Sequence, residues 1–413
     1  MTDALRHKLH ALLHRYGKNS YHPKPQESSR GDCNMLGKIS SQLLGCSTHY
    51  ASLVTGSSIS EEIGSCVMSA SSKALTPTPR EGVQADSQSV AAGQTPSSLE
   101  EILPGSLEMN PGKIPLIIDT DANNELDDQH ALAYAFFNSD VFNVLGVTVN
   151  DTPNGGGIQG QFDEAKRVMK LCLAYEGVPL LKGAEGSYAS INSDIDNAEH
   201  DGHAAVDFII ETARTVRGQK LVLVAIGKLT NIALALLKAP EIIPMVRLVW
   251  LGSNYPEPGE YNLQADVSSV NPVIESGVEF EMATVRYLKP SGTAAVIATG
   301  KNIQERMPGQ GPAISPSVEG RNGGTFSSFG NYSYHLFESL GFPDRSMYDM
   351  ATLAIIKEPS WGELKRIPAP RLLADGWQDC PDNDATIGYW ENFNTEAIVE
   401  DLFKSIENPA LLQ

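Results

Sequence analysis

The stretch IPLIIDTDANNELDDQHALAYAF, residues 114–136, decides the reading of this chain. An apolar run that reads as a buried strand ends in Asp119-Thr120-Asp121, a short polar loop follows, and Asp127-Asp128 open an apolar-periodic helix. With Glu125, five acidic side chains fall within ten positions. Carboxylates crowded in this way repel one another unless a cation or a shared proton compensates. Hard divalent cations take carboxylate oxygens, so the stretch reads as a Ca²⁺ site, or a Mg²⁺ site as the lesser choice. The alternative is a solvated turn followed by an acidic helix start, where the helix dipole favours Asp.

Working outward, the same strand-then-helix pattern repeats from residue 111 to about 410. Strands are expected at 114–119, 144–149, 221–226, 247–251 and 279–285, with helices at 127–138, 162–175, 203–216, 230–238, 267–276 and 349–356. A last strand and helix fall at about 385–406. Near-continuous apolar strands alternating with helices indicate an α/β fold with an open, mostly parallel, doubly wound sheet in a single catalytic domain. Ligands bind such sheets beyond the carboxyl ends of the strands. Asp121 and Asn150 sit at two such ends, and Ile226-Gly227 at a third. Residues 308–331 are rich in Gly, Ser and Pro and read as a flap.

Residues 1–110 are different: rich in Ser, Thr, Gly, Pro and Gln, without sustained periodicity, they read as a disordered low-complexity segment. A short basic helix is expected at 3–16, and Met109 is a candidate start of translation. Peptides from residues 20–100 in the native protein, detected by mass spectrometry, would exclude that start. The 413 residues carry a net charge of −19, which argues against nucleic acid as the main partner. No apolar run approaches the roughly 20 residues that cross a bilayer. Five cysteines without CxxC spacing indicate neither a disulfide framework nor a zinc site, so a reducing, cytoplasmic setting is expected.

Further polar blocks follow in order: IGKLTN at 226–231, GEYN at 259–262 and YD at 348–349. Together with DTD…DD they make the chain resemble the inosine-uridine-preferring nucleoside hydrolase family over roughly residues 113–408. Family blocks TGPLTN, AEFN and HD are matched by these three. The resemblance implies a Ca²⁺-dependent N-ribohydrolase acting on nucleosides or related N-ribosides, assembled as a homodimer or homotetramer. It implies that Asp121 binds the metal and takes a proton from the attacking water. Asp128, Asp349 and the backbone carbonyl of Ile226 would be further metal ligands. Asp127, Asn150, Glu260 and Asn262 would hold the ribose hydroxyls. An oxocarbenium-like ribosyl cation is stabilised by such fixed carboxylates and amides, and direct water attack needs no covalent intermediate.

Two departures stand out. The loop ANNEL has five residues where the family has three, so Asn123 to Glu125 are expected to bulge toward the sugar site. Tyr348 occupies the place of a His associated with protonating the leaving base, and a phenol with an unperturbed pKa of about 10 is a weaker acid. These departures keep one rival reading open, a ribose- or nucleoside-binding protein without turnover. A second rival is a phosphatase of the haloacid dehalogenase type, whose site also opens with DxD after a strand. That site usually continues with Gly-Thr or Gly-Val, where Ala122-Asn123 follow here, and it leaves GEYN and YD unexplained. His130 reads as a surface or capping residue, and His200 and His203 as half of a metal motif. Gly155-Gly156-Gly157 reads as a flexible turn, since no GK[ST] follows.

Overall fold

In the computed structural model residues 112–412 are described, all within a compact unit that spans Gln88–Gln413. The expectations for the low-complexity segment, the helix at 3–16 and the start at Met109 lie outside the described residues. The main elements alternate as expected. They are β1 (Ile114–Thr120), α1 (Asp127–Phe137), β2 (Phe142–Val149), α2 (Gly157–Leu171), β3 (Leu180–Lys182), α3 (His203–Thr215) and β4 (Leu221–Ile226). Next come α4 (Thr230–Lys238), β5 (Val246–Ser253), α5 (Tyr261–Ala265), α6 (Val267–Glu275) and β6 (Glu279–Thr284). The C-terminal part holds α7 (Gly300–Arg306), the hairpin β7 (Val318–Glu319) and β8 (Thr325–Phe326), α8 (Phe329–Ser339) and α9 (Tyr348–Lys357). It closes with β9 (Glu363–Pro368), β10 (Thr386–Glu391) and α10 (Thr395–Glu407).

One 8-stranded sheet organises the domain, in the order β9-β10-β6-β5-β4-β1-β2-β3. Its strands run parallel except β9, which pairs antiparallel with β10 at the edge. The chain winds outward from β1 through β2 to β3, then returns to lay β4 on the other side of β1. That reversal is the topological switch point, where the diverging connections leave a crevice. The DTD motif ends one flanking strand of that crevice and Ile226 ends the other.

Alternation along the strands divides the core. Leu116 and Ile118 join the cluster under α1, α2, α8, α9 and α10, whereas Ile117 joins the cluster under α3, α4 and α6. Val222 and Val224 likewise face the first layer, and Leu221 and Leu223 the second. This is the period of two expected of a strand buried on both faces. The sheet and α3 meet closely at Gly146, where a Cβ would lie 2.3 Å from the Phe208 ring. Gly146→Ala is expected to destabilise the domain by about 1–3 kcal/mol through overpacking. A denaturant midpoint equal to that of the unsubstituted protein would contradict this close fit.

The expected boundaries of β4 and α4 coincide with the observed ones, and the others shift by a few residues at either end. Helix α2 starts five residues earlier than its pattern suggests, because Gly156 in the left-handed region (φ 81°) forms its N-terminal boundary. Part of the Gly-rich stretch 308–331 forms the β7–β8 hairpin. Gly323 and Gly324 turn it with φ of 83° and 79°. Among the described residues no helix is long and apolar enough to cross a membrane.

Candidate active site

At the carboxyl end of β1 alternation sends consecutive side chains to different partners. Asp119 is buried and fully engaged: Thr148 Oγ1 (2.6 Å) and Asn231 Nδ2 (2.8 Å) donate to one oxygen, Asn150 Nδ2 (2.9 Å) to the other. Burial still pushes its pKa up to about 6, because three donors and the Lys228 charge only partly repay desolvation. Asp119 thereby braces β1 to β2 and α4. Thr120 Oγ1 donates to Asp128 Oδ1 (2.5 Å), tying the strand end to α1. Asp121 accepts from Thr152 Oγ1 at 2.6 Å.

Two helices deliver the remaining acids. Asp127 and Asp128 occupy the first turn of α1, and Asp349 the first turn of α9, which packs against α1. Both helix N-termini face the carboxylates, and their dipoles favour negative charge there. Oxygens of Asp127, Asp128 and Asp349 all lie within 4.8 Å of one another, and all three residues are buried. The Asp349 backbone N–H donates to Asp127 Oδ2 (3.4 Å). Burial pushes Asp121 and Asp127 up to about 7, with Asp127 adding to the rise at Asp121 and Glu125 to that at Asp127. Asp128 and Asp349 are also raised well above the usual carboxylate range, by burial first, with the Asp121 and Asp127 charges next at Asp128 and the Asp127 and Asp128 charges next at Asp349.

The third contribution comes from α5. Glu260 caps this helix by accepting from the Leu263 N–H (2.9 Å), and burial raises it to about 7 with Asp121 adding to the shift. Asn262 Nδ2 donates to the carbonyls of Leu251 (3.0 Å) and Ile226 (3.3 Å). Two acceptor atoms at this strand edge, Asp349 Oδ1 and Asn262 Oδ1, are buried with no hydrogen-bond partner. Buried acceptors in native proteins are seldom left so. An unpaired carboxylate oxygen and an unpaired amide oxygen beside three further raised carboxylates fit a hard divalent cation, whose charge would offset both the repulsion and the missing donors.

Several residues take places that differ from expectation. Asp127, expected on the sugar, sits inside the tightest carboxylate cluster, while Asp121 is linked to it through its electrostatic field. Asn150, expected to hold ribose, is fully buried with its amide committed to Asp119 and to the Lys228 N–H (3.3 Å), so it braces the site from below. Of Asn123 to Glu125, expected to bulge toward the sugar site, Asn123 is tied to α2, to the loop before it and to Arg321. Its N–H donates to Gln161 Oε1 (2.6 Å), its Nδ2 to the Gly155 carbonyl (2.7 Å), and Arg321 donates to its Oδ1 (3.4 Å).

His130, expected at the surface, is a core residue between the Leu126 carbonyl and Ser333, edge-on to Phe329 and Phe337. His200 and His203 pair with each other near Lys238, apart from the carboxylate cluster. Tyr348 packs edge-on to Tyr287, and burial with the Asp127, Glu125 and Glu260 charges pushes its phenol up to about 12. A phenol so raised is a poor acid at neutral pH.

Sequence reasoning missed Thr120, Thr148, Thr152 and Asn231, the neutral donors that orient the acids. The T of DTD and the N of IGKLTN were in view, but a hydroxyl or amide gives no signal of its own. A cavity of about 360 Å³ adjoins Thr152 and is lined by Asp151, Ser187 and Lys228 among others. A larger one of about 660 Å³, by Arg306 and Glu400, includes none of the acids above.

Comparison with known proteins converges on one family. The family described as inosine-uridine preferring nucleoside hydrolase matches residues 116–377. An uncharacterized protein of Schizosaccharomyces pombe is 36% identical over 107 residues, covering 24% of this chain and 34% of that protein. The non-specific ribonucleoside hydrolase RihC of Shigella flexneri is 29% identical over 191 residues, 41% of this chain and 60% of the enzyme. The matches thus span between a third and three-fifths of these curated relatives. In structure, a plant nucleoside hydrolase (PpNRh1) superposes with a TM-score of 0.56 at 19% identity, over 72% of this chain and 100% of that one. An inosine-uridine preferring nucleoside hydrolase from Bacillus anthracis gives 0.54 at 15%, over 71% and 99%. These likenesses establish a shared fold, and the sequence match over more than half of the residues identifies the family: this chain belongs to the inosine-uridine preferring nucleoside hydrolases.

Proposed function

We propose that this chain, through a domain spanning residues 111–410, hydrolyses the N-glycosidic bond of ribonucleosides or related N-ribosides by direct attack of water. The observation that carries the reading is the convergence of Asp121, Asp127, Asp128, Asp349 and Glu260 at the switch point of the sheet. Family membership and relatives named as ribonucleoside hydrolases support it.

Asp121, Asp128 and Asp349 would hold a Ca²⁺ ion with the Ile226 carbonyl, and Asp127 lies close enough to share it or to meet a ribose hydroxyl. When bound, such an ion supplies charge that keeps the carboxylates ionised, orients vicinal hydroxyls and makes a water more acidic. Asp121 acts as general base: Thr152 fixes one of its oxygens, so the other is oriented to take the proton of the attacking water. Glu260 and the unpaired Asn262 Oδ1 accept hydrogen bonds from ribose hydroxyls. As the C1′–N bond stretches, positive charge grows on the ring, and the fixed carboxylates around it stabilise that charge without reorganising. The water attacks the face opposite the base, so no covalent sugar intermediate forms. A homo-oligomeric state belongs to the same proposal and is read by light scattering.

The test is a panel of nucleosides and p-nitrophenyl riboside, assayed with Ca²⁺, with chelator, and in Asp128→Ala. Release of base or nitrophenol is expected with Ca²⁺ and not with chelator. Asp128→Ala is expected to weaken Ca²⁺ binding by at least tenfold in calorimetry while keeping its circular dichroism. Ribosides that bind and are never cleaved would instead make this a sugar-binding protein. Unchanged Ca²⁺ affinity in Asp128→Ala would remove it from the ligand set.

A further inference from the structure

The turn between β4 and α4 carries an unusual residue. Lys228 is 2% exposed, in a chain block whose family counterpart, TGPLTN, has proline at that place. Lysine is almost never so buried unless its charge is matched. Its Nζ donates to the carbonyls of Glu185 (2.8 Å) and Gly186 (2.6 Å), which leaves one of three donors unclaimed by these bonds. Four carboxylates surround it: Asp266, Asp151, Asp201 and Asp119. Three are supplied elsewhere. Thr230 and the Tyr188 N–H serve Asp266, the Glu185 and Gly186 N–H groups serve Asp201, and three side chains serve Asp119. Asp151 is only partly supplied: the Thr152 N–H serves it, while its Oδ1 is buried without a hydrogen-bond partner.

Lys228 and Asp151 line the same cavity, about 360 Å³, with Thr152, Ser187 and Gly156. That volume is within the range of small-molecule sites, ~300–1,000 Å³. Thr152 joins this cavity to the proposed chemistry, since its hydroxyl is the donor to Asp121. Tyr261, between Glu260 and Asn262, accepts from the Asn154 N–H (3.1 Å) and brings an aromatic ring beside Thr152. A charged donor and an unsatisfied acceptor in one cavity, with an aromatic ring next to its Thr152 wall, suit a flat heterocycle that has both carbonyl or ring-nitrogen acceptors and N–H donors.

We propose that this cavity receives the departing nucleobase, and that the Lys228 ammonium stabilises the negative charge left on it while Asp151 accepts one of its N–H groups. The inference rests on the N-riboside reading above. The C1′–N bond breaks with its electron pair leaving on the base. Water delivers hydroxyl to C1′ and its proton to Asp121. Lys228 keeps its own proton, and the base is protonated from solvent on release. A preorganised charge at such a position contributes about 10²–10³ in kcat.

The experiment compares two ribosides that share the sugar and differ in leaving group: uridine, whose base leaves with difficulty, and p-nitrophenyl riboside, whose anion needs no help. Lys228→Met is expected to lower kcat for uridine about 100-fold and to change the nitrophenyl substrate by less than about threefold, with Lys228→Arg restoring most of the loss. Equal losses on both substrates, or no loss, overturn the assignment. Should Lys228→Met fail to fold, Asp151→Asn replaces it: a rise in KM for uridine alone supports the cavity, and equal effects overturn it. If the unsubstituted protein cleaves neither riboside, the N-riboside reading itself fails. Calorimetry with free uracil and hypoxanthine then decides the cavity. Binding lost in Lys228→Met (or in Asp151→Asn, if that variant stands in) retains it, and binding that is absent or unaltered overturns it.

Discussion

Replacing Asp121 with asparagine is expected to lower kcat about 10³-fold while leaving the domain folded and at least as stable. The substitution is nearly isosteric, and an amide oxygen still accepts the Thr152 hydroxyl now donated at 2.6 Å. What disappears is the capacity to take a proton and one negative charge toward the metal, so kcat is read at saturating Ca²⁺. Stability is the discriminating readout. Asp121 is 1% exposed and its pKa is raised to about 7 by burial, so in the metal-free protein near neutral pH its charge is a burden that asparagine lifts. A residue held for structural reasons would lose activity and melting temperature together. Activity within tenfold of the unsubstituted protein would remove Asp121 from the role of base.

The fold was legible in sequence because the strands next to the switch point are buried on both faces. LVLVAI and IPLIID are near-continuous apolar runs, and no other element type explains them at that length. Edge and accessory strands escaped. β3 has three residues and β9 alternates intermediate and exposed positions, so neither has a hydrophobic signature that outweighs its surroundings. Within the site, the acids were legible because clustered carboxylates are physically anomalous. Their geometry was not. Whether Asp127 or Asp121 lies nearest Asp349 depends on how α1 and α9 pack, a contact between residues more than 200 positions apart. Asn150 shows the same limit: its place after a strand pointed to the ligand crevice, but its rotamer turns it under Asp119. Lys228 carried no expectation at all. A single lysine in a turn reads as solvated surface until the structure shows it buried.

Without metal, the protein is expected to lose stability as pH rises from about 4 to about 7, and Ca²⁺ is expected to restore what was lost. Asp119 is raised to about 6, Asp121, Asp127 and Glu260 to about 7, and burial holds Asp128 and Asp349 well above the usual carboxylate range as well. In the unfolded chain these groups titrate near 4. Above that pH the folded state keeps protons that the unfolded state has released, so folding is increasingly disfavoured until the folded pKa values are passed. The stabilising protons are fully present below about pH 4 and lost through the range of the folded values. A bound cation takes over the work of the protons, so the rise in melting temperature at saturating Ca²⁺ should grow from pH 5 to pH 7.5, by on the order of 5 °C or more. Asp349→Asn sharpens the test. It removes one buried carboxylate and leaves an amide in its place, so the metal-free melting temperature should fall less steeply with pH, while the Ca²⁺-dependent rise should largely vanish. A Ca²⁺ shift that is the same at pH 5 and pH 7.5, or that survives intact in Asp349→Asn, would mean that the cluster formed by α1 and α9 is not where the ion binds.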